Sequence, residues 1–463
     1  MASKPNVLFI VVDDLRPELG CYTGAGVQSP NIDRLASEGV LLEQAYCQQA
    51  VCAPSRASVL TGLRPDSTGI YDLQTPVREA LPDVLTLPQH YKANGYETVS
   101  VGKVYHHAED DLAGWSAPPV QSRGDWRGRG YLTDEAVEQM LTQERLLVAR
   151  GDRRRGIGPA FEAADVPDNA YHDGMDADAA IRELGRLKGE PFFMALGFHK
   201  PHLPFNAPKR YWDLYSADDI PLADNDFAPQ GVTPFSLTNF GELRGYFGIP
   251  AEGPIPADIA RRLVHGYWAC VSYMDAQVGR VLAALDNLGL AEDTVVMLWG
   301  DHGWKLGEHG SWCKHTNFDI DTRAPLVVRA PGRQLPGHRT SALVEFVDMY
   351  PTLCDLCEIP TPAHLEGTSF APLLARSNGA WKTAAFSQCP RGRVMGHTMK
   401  TARHRYTEWQ DRRTGAVRAR ELYDHDAAAG ENANVADRAD YADTVARLSS
   451  MLADGWRAAR PGG

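Results

Sequence analysis

The run Asn6-Val-Leu-Phe-Ile-Val-Val12 constrains this chain most, because it is apolar almost throughout and stops abruptly at Asp13-Asp14. A strand with one wet face alternates apolar and polar residues. An unbroken Val/Ile-rich run instead needs cover on both faces, as in the middle of a parallel sheet. Similar short runs recur at Thr98–Val101, Pro191–Gly197 and Thr294–Trp299, with helical patterns between them. Ser29-Pro30 reads as an N-cap followed by Pro at the first helical position, with Ile32, Leu35, Ala36 and Val40 sharing a face. From about Ala257 to Leu290, apolar residues such as Leu263, Tyr267, Met274, Val278 and Leu285 keep helical spacing. This alternation predicts an α/β fold on a large, mainly parallel (mixed) sheet flanked by helices.

A chain of 463 residues exceeds the length at which single cores usually stop growing, so a smaller second unit is expected. The pattern changes after Trp381. Gly396–Trp409 and Arg418–Tyr423 read as paired strands, followed by a last helix with Val445, Leu448, Leu452 and Trp456 on one face. We therefore expect a catalytic α/β domain over 1–378 and a C-terminal α+β subdomain with an antiparallel sheet over 379–463. The stretches His106–Asp176 and Pro221–Pro256 lack periodicity and read as loops and short helices over the sheet rim.

The net charge of −12 offers no general attraction to nucleic acid or anionic membranes, so neither is an expected partner. Eight Cys in this length imply no small disulfide scaffold. No stretch approaches the roughly 20 apolar residues of a membrane span, and the start lacks a signal-peptide pattern, so a cytoplasmic location is expected.

Ligands of open α/β sheets bind beyond the carboxyl ends of the strands. Here each apolar run ends in polar chemistry: Asp13-Asp14, then Gly102-Lys103-Val104-Tyr105-His106, then His199-Lys200-Pro201-His202, then Asp301-His302. One such pair would read as a cap or a loop, but four together point to a site. Asp13, Asp14 and Asp301 are hard oxygen ligands, suited to Ca²⁺ or Mg²⁺. His302 either ligates directly or holds a metal-bound group from behind. In Cys52-Ala-Pro-Ser-Arg56, Pro54 and Ser55 read as the first positions of a short helix, with Cys52 at its positive end. Helix N-termini bind oxyanions and lower thiol pKa values.

Cys-x-Pro-Ser-Arg followed by Leu-Thr-Gly62, after a strand ending in Asp-Asp, resembles the type I sulfatases of the alkaline phosphatase superfamily. The resemblance extends through Ser-Pro-Asn-Ile-Asp33, Gly-Lys-Val-Tyr-His106, Lys-Pro-His-Leu-Pro-Phe205, Ser-Tyr-Met-Asp-Ala-Gln-Val-Gly279, Gly-Asp-His-Gly-Trp304, Gly307-Glu-His-Gly310, Lys314 and Glu421-Leu-Tyr-Asp424. Gln49–Arg56, with Gly-Lys-Val-Tyr-His and His-Lys-Pro-His, looks most like the iduronate-2-sulfatase branch.

This resemblance implies a sulfatase fold and a sulfuric ester hydrolase. Cys52 would be converted to formylglycine (3-oxoalanine) by a formylglycine-generating enzyme, and its hydrate would be the nucleophile. The cation, Ca²⁺ in this family with Mg²⁺ or Mn²⁺ as alternatives, would be held by Asp13, Asp14, modified Cys52, Asp301 and His302. Arg56 would hold the hydrate, and Lys103 and Lys314 would neutralise sulfate oxygens. His106, selected over His107 by family spacing, would take a proton from the hydrate. His202 would protonate the leaving sugar oxygen, alone or with Lys314. The implied substrate is a sulfated saccharide or small sulfate ester, with a 2-O-sulfated uronic-acid residue foremost. Aryl- or choline-sulfate hydrolysis, or phosphonate or phosphate-ester hydrolysis on the same scaffold, is the alternative. His199 reads as pocket or structural, and Trp304 and Glu308 as sugar-site or packing groups. Arg323 reads as a sheet anchor, and Cys354-x-x-Cys357 as buried structural thiols. Nothing in the sequence speaks to the oligomeric state.

Overall fold

The computed structural model describes residues 4–22, 24, 26–375, 380–427 and 430–461. The expected boundary between residues 378 and 379 lies outside the described residues.

Seven strands form the main sheet: β1 (Asn6–Val12), β2 (Val40–Tyr46), β3 (Glu97–Gly102), β4 (Phe192–Phe198), β5 (Thr294–Gly300), β6 (Leu326–Arg329) and β7 (His338–Glu345). Their spatial order is β7-β2-β6-β5-β1-β4-β3. Only β6 runs antiparallel to its two neighbours, so the sheet is mixed but mainly parallel. All seven residues of β1, β4 and β5 are buried, which is why these runs carry no alternation. Odd and even positions feed two different cores. Leu8, Ile10 and Val12 pack on one side with α5 (Ala257–Leu288) residues such as Tyr267, Met274 and Val278. Val7, Phe9 and Val11 pack on the other with Val59 and Leu60 of α2 (Cys52–Thr61) and with Met349 and Leu353 of α6 (Met349–Leu356). Helices α1 (Pro30–Glu38) and α4 (His172–Leu187) join the first of these layers.

The irregular reading of 106–176 is corrected by α3 (Asp134–Ala149), a helix of 16 residues. It buries only Ala136 and Val137, so it shows no apolar stripe that spacing could reveal.

The C-terminal sheet has four strands in sequential antiparallel order: β8 (Ala385–Arg391), β9 (Val394–Lys400), β10 (His404–Asp411) and β11 (Val417–Asp424). Gly396–Trp409, expected as one strand, is two strands joined by a turn in which Thr401 N–H donates to the His404 carbonyl at 2.8 Å. Neither Gly nor Pro marks that turn. β8 was not expected at all. The last helix, α7 (Ala442–Ala458), buries Leu448 against Met399, Tyr406 and Leu422 of this sheet. Among the described residues no helix is long and apolar enough to cross a membrane.

Candidate active site

β5, β1, β4 and β3 are consecutive in the sheet and end nearly flush. Val12 pairs with both Gly300 and Phe198, and Gly102 with Gly197. Strands stand about 4.8 Å apart, so Asp301, Asp13, His199 and Lys103 leave the sheet side by side. Backbone bonds carry the alignment one residue further. Asp13 N donates to Phe198 O at 3.1 Å, Asp301 N to Val12 O at 3.1 Å and Lys103 N to Gly197 O at 2.9 Å. Gly102 makes the last step possible. Its φ is 69°, and a Cβ there would stand 2.2 Å from the Gly197 carbonyl oxygen.

Helix α2 starts at Cys52 itself, with Val51 as N-cap. The Pro-Ser signal therefore placed the start two residues late. All ten residues of α2 are buried, and Gly62, at φ 70°, closes it in the left-handed conformation. Cys52 Sγ lies 3.3 Å from His302 Nε2 and 3.8 Å from Asp14 Oδ1. His302 Nε2 is 3.3 Å from Asp14 Oδ1 and 3.5 Å from Asp301 Oδ1, while its Nδ1 faces the Gly303 carbonyl at 2.9 Å. Asp14 has φ 61°, a strained value for a residue other than glycine. It is held by its N–H on Asp301 Oδ1 (3.0 Å) and by the Tyr267 hydroxyl donating to its carbonyl (2.8 Å).

Three cations interleave with the three carboxylates. Arg56, fully buried one turn after Cys52, donates to Asp301 Oδ2 and Asp13 Oδ1, both at 2.9 Å, and to the Val104 carbonyl at 2.9 Å. Lys103 Nζ pairs with Asp13. Lys314 Nζ lies 2.8 and 3.0 Å from the two Asp14 oxygens and 4.9 Å over the Trp304 ring. Cys313 and His315, on either side of Lys314, both have positive φ, so an irregular turn presents this side chain. Burial opposes the charge of Asp13, but Lys103 and Arg56 outweigh it and hold that carboxyl well below the usual range. At Asp14 burial wins over Lys314, and the carboxyl is raised. Burial, reinforced by Asp13, pushes the Cys52 thiol well above its ordinary value. Desolvation thus overrides the helix N-terminus, contrary to the expected lowering, and Cys52 as a thiol is a poor nucleophile here.

His202 Nε2 lies 3.8 Å from Asp14 Oδ2, and its Nδ1 is 2.5 Å from the Leu203 carbonyl. His106 is half-buried, and its Nδ1 has no hydrogen-bond partner. Burial, then Lys103 and Arg56, lower its pKa to about 3. The imidazole is therefore neutral, with one ring nitrogen free to accept a hydrogen bond. His107 instead turns to Asp110 at 3.3 Å.

Glu242 was not found from sequence. It lies in the one-turn helix Gly241–Arg244, within the stretch read as irregular. Its Oε1 is 3.1 Å from His202 Nε2 and its Oε2 3.3 Å from Lys314 Nζ. Burial raises its carboxyl, but Lys314 and His202 outweigh that and hold it well below the usual range. No motif or periodicity marks this position.

The remaining candidates make other contacts. His199 turns toward Asp173 and Asp176, away from the catalytic cluster. Glu308 pairs with Arg16 at 2.8 Å beside a separate cavity of about 580 Å³ that none of the catalytic candidates lines. Trp304 is buried under Lys314 as a packing group. Arg323 Nε donates to the Glu43 carbonyl at 2.8 Å, anchoring β2. Cys354 and Cys357 are buried and unbridged.

The donor set of Asp13, Asp14, Asp301 and His302 with the Cys52 position brackets a space suited to a hard divalent cation. Asp14, Cys52 and His302 converge within 4.8 Å, as do Asp13, Cys52 and Asp301. Arg56, Lys103 and Lys314 around the same point can neutralise a tetrahedral dianionic or monoanionic group.

Comparison with known proteins agrees with this chemistry. A family model described as sulfatase matches residues 5–359, and one described as N-sulphoglucosamine sulphohydrolase, C-terminal, matches 307–457. Iduronate 2-sulfatase of Mus musculus is 37% identical over 87% of this chain and 84% of its own, and that of Homo sapiens 36% over the same shares. The crystal structure of phosphonate monoester hydrolase of Agrobacterium radiobacter superposes with a TM-score of 0.79 at 24% identity, covering 98% of this chain and 95% of that one. The sheet topology, the Cys-x-Pro-Ser-Arg helix and these matches together make the chain a member of the sulfatase family, an enzyme with the alkaline-phosphatase-like fold.

Proposed function

We propose that this sulfatase uses formylglycine, formed from Cys52 by a formylglycine-generating enzyme, and one Ca²⁺ to remove the 2-O-sulfate of a uronic-acid-containing saccharide. The observation that carries the reading is Cys52 on the first turn of α2, within 4 Å of both His302 and Asp14 and one helical turn from Arg56. The likeness to the iduronate 2-sulfatases supports the choice of sugar.

Asp13, Asp14, Asp301 and His302 would hold the cation, with the modified Cys52 as a further ligand. When present, cation and aldehyde hydrate supply charge neutralisation and a nucleophilic hydroxyl at position 52. Arg56 orients that hydroxyl. Lys103 and Lys314 exchange their carboxylate partners for sulfate oxygens, so repulsion of the nucleophile by the sulfate charge falls. His106 would accept the proton of the hydrate's second hydroxyl at its free ring nitrogen, so that sulfate leaves residue 52 and the aldehyde returns. His202 Nε2 donates a proton to the departing sugar oxygen, a contribution of about 10²–10⁴-fold for a poor leaving group.

Two measurements test this. Mass spectrometry of the Cys52 peptide from active enzyme should find the aldehyde in place of the thiol; an unmodified thiol there overturns the nucleophile. Sulfate release from a 2-O-sulfated iduronate disaccharide should exceed, in kcat/KM, turnover of aryl sulfate, choline sulfate and a phosphonate monoester. A phosphonate preference would overturn the reaction class.

A further inference from the structure

A second set of metal-ligand side chains lies at the ends of β3 and β4, beside but apart from the catalytic cluster. Asp173 comes from the first turn of α4 and Asp176 from the turn after it, both fully buried, and His199 follows β4. One donor atom from each lies within 4.8 Å of the other two. His199 Nδ1 stands 3.6 Å from Asp173 Oδ1 and 3.7 Å from Asp176 Oδ2.

These distances do not suit a direct pair. A charge-assisted N–H···O bond closes to about 2.7–2.9 Å, and both contacts here are nearly equal and much longer. Ligands of a tetrahedral zinc ion, with bonds of about 2.0–2.2 Å, are held roughly 3.3–3.5 Å apart. Asp173 is fixed by accepting from His199 N at 2.8 Å and Lys200 N at 2.9 Å. Asp176 has no such support. Both its oxygens are buried with no hydrogen-bond partner, and so is His199 Nδ1.

The neighbouring donors point elsewhere. Lys200 Nζ is spent on the carbonyls of His202 (3.0 Å) and Pro204 (2.6 Å), and the Ser122 hydroxyl, which lies near Asp176, is within bonding distance of His172 Nδ1 at 3.1 Å. An unpartnered buried carboxylate is rare and costly. A divalent cation would satisfy Asp176 and His199 together, and two carboxylates would balance its charge.

We propose that Asp173, Asp176 and His199 form a second divalent-cation site that takes zinc. The mixed set of one imidazole and two carboxylates favours zinc over calcium, which prefers six to eight oxygens. The His199 side chain is 31% exposed, so the cluster lies close to the surface although its donor atoms are buried. The site clamps α4 to the segment His199–His202, and so steadies the loop that carries His202. It stands independently of the proposed reaction.

The test is zinc-edge anomalous diffraction on crystals of the full chain, stripped with chelator and then equilibrated with zinc. Plasma mass spectrometry after gel filtration counts bound metal in parallel. The expected result is an anomalous peak between His199 Nδ1, Asp173 and Asp176, distinct from any peak at Asp13, Asp14 and Asp301. D176N and H199Q should each lose that peak and one equivalent of zinc, while keeping any zinc at the catalytic cluster. Absence of the peak in wild-type crystals at saturating zinc overturns the proposal, whether or not the catalytic cluster is filled. Persistence of the peak in D176N overturns it equally. The wild-type map decides the matter even if a variant fails to fold.

Discussion

Two buried ionic clusters in this molecule have similar ingredients and different construction. In the candidate catalytic cluster Asp13, Asp14 and Asp301 face Arg56, Lys103 and Lys314, with His202, His302 and Glu242 around them. The other ties the end of β7 to the start of the C-terminal sheet. There Arg64 meets both Glu345 oxygens, at 2.7 and 2.8 Å, and Lys382 meets Glu345 at 2.7 Å and Asp348 at 2.6 Å. Backbone donors complete the second cluster: Phe386 N on Glu345, Thr368 N on Asp348 and Glu345 N on Asp348. It is charge-balanced and its carboxylates are closed off. The candidate catalytic cluster instead includes a strained Asp14 and a lysine and a histidine reachable from solvent. Its ion pairs can be exchanged for a ligand, whereas the other cluster can only be broken.

Separate damage to each cluster should therefore separate chemistry from stability. C52A removes the proposed nucleophile position without disturbing an ion pair. We expect loss of sulfate release by at least about 10⁴-fold, with a thermal midpoint close to that of the parent. Residual turnover within tenfold of the parent would dismiss Cys52 as the nucleophile.

K382M takes one charge from the closed cluster and leaves Glu345 and Asp348 buried beside a single arginine. Breaking a buried pair in this way costs about 3–5 kcal/mol. Chemical denaturation should show that loss, while kcat per folded molecule at low temperature stays within a few-fold. A stability loss below about 1 kcal/mol would mean that the cluster is not the clasp inferred here.

The same cluster has a pH signature. Burial opposes ionisation of Glu345, but Arg64 and Lys382 outweigh it and bring its pKa from 4.5 down to about 2. The folded pKa lies below the unfolded one, so the unfolded chain binds more protons as pH falls. The stabilisation is complete above about pH 4.5 and is lost as pH drops toward 2. Asp348, raised by burial, offsets part of it. The stability gap between the parent and E345Q should narrow by on the order of 2 kcal/mol between pH 6 and pH 3. A gap independent of pH would contradict the assigned ionisation.

The two clusters also differ in how far the amino-acid sequence discloses them. Asp13, Lys103, His199 and Asp301 follow apolar runs, so their convergence could be reasoned from strand order alone. Arg56 and Cys52 share one helix turn, which local spacing also reveals. By contrast, Arg64, Glu345 and Lys382 lie on three unrelated segments, and only the docking of the C-terminal sheet brings them together. β8 escaped notice for a related reason. Ala-Phe-Ser-Gln-Cys-Pro-Arg has neither an unbroken apolar run nor clean alternation, because it packs partly on the main unit and partly on its neighbour strand. Asp176 and His199 are 23 positions apart, and the single turn that separates Asp173 from Asp176 looks like any acidic helix start.

Glu242 provides the finest test of the contrast, because it belongs to the exchangeable cluster without standing among the cation's candidate ligands. It contacts His202 and Lys314, the two side chains that also approach Asp14. If it orients His202 toward the leaving oxygen, E242Q should slow a sugar sulfate by about tenfold. An activated aryl sulfate, whose phenolate needs no proton to depart, should slow by less than threefold or so on the same reasoning. E242D, which restores the charge, should recover part of the sugar-sulfate rate. Equal losses on both substrates would instead assign Glu242 to the placement of Lys314 on the sulfate, since that interaction is shared by every ester. Unchanged rates on both would make it a packing group that happens to border the cleft. The ratio of the two rates, rather than either alone, distinguishes these outcomes, and a general loss of folded protein leaves that ratio where it was.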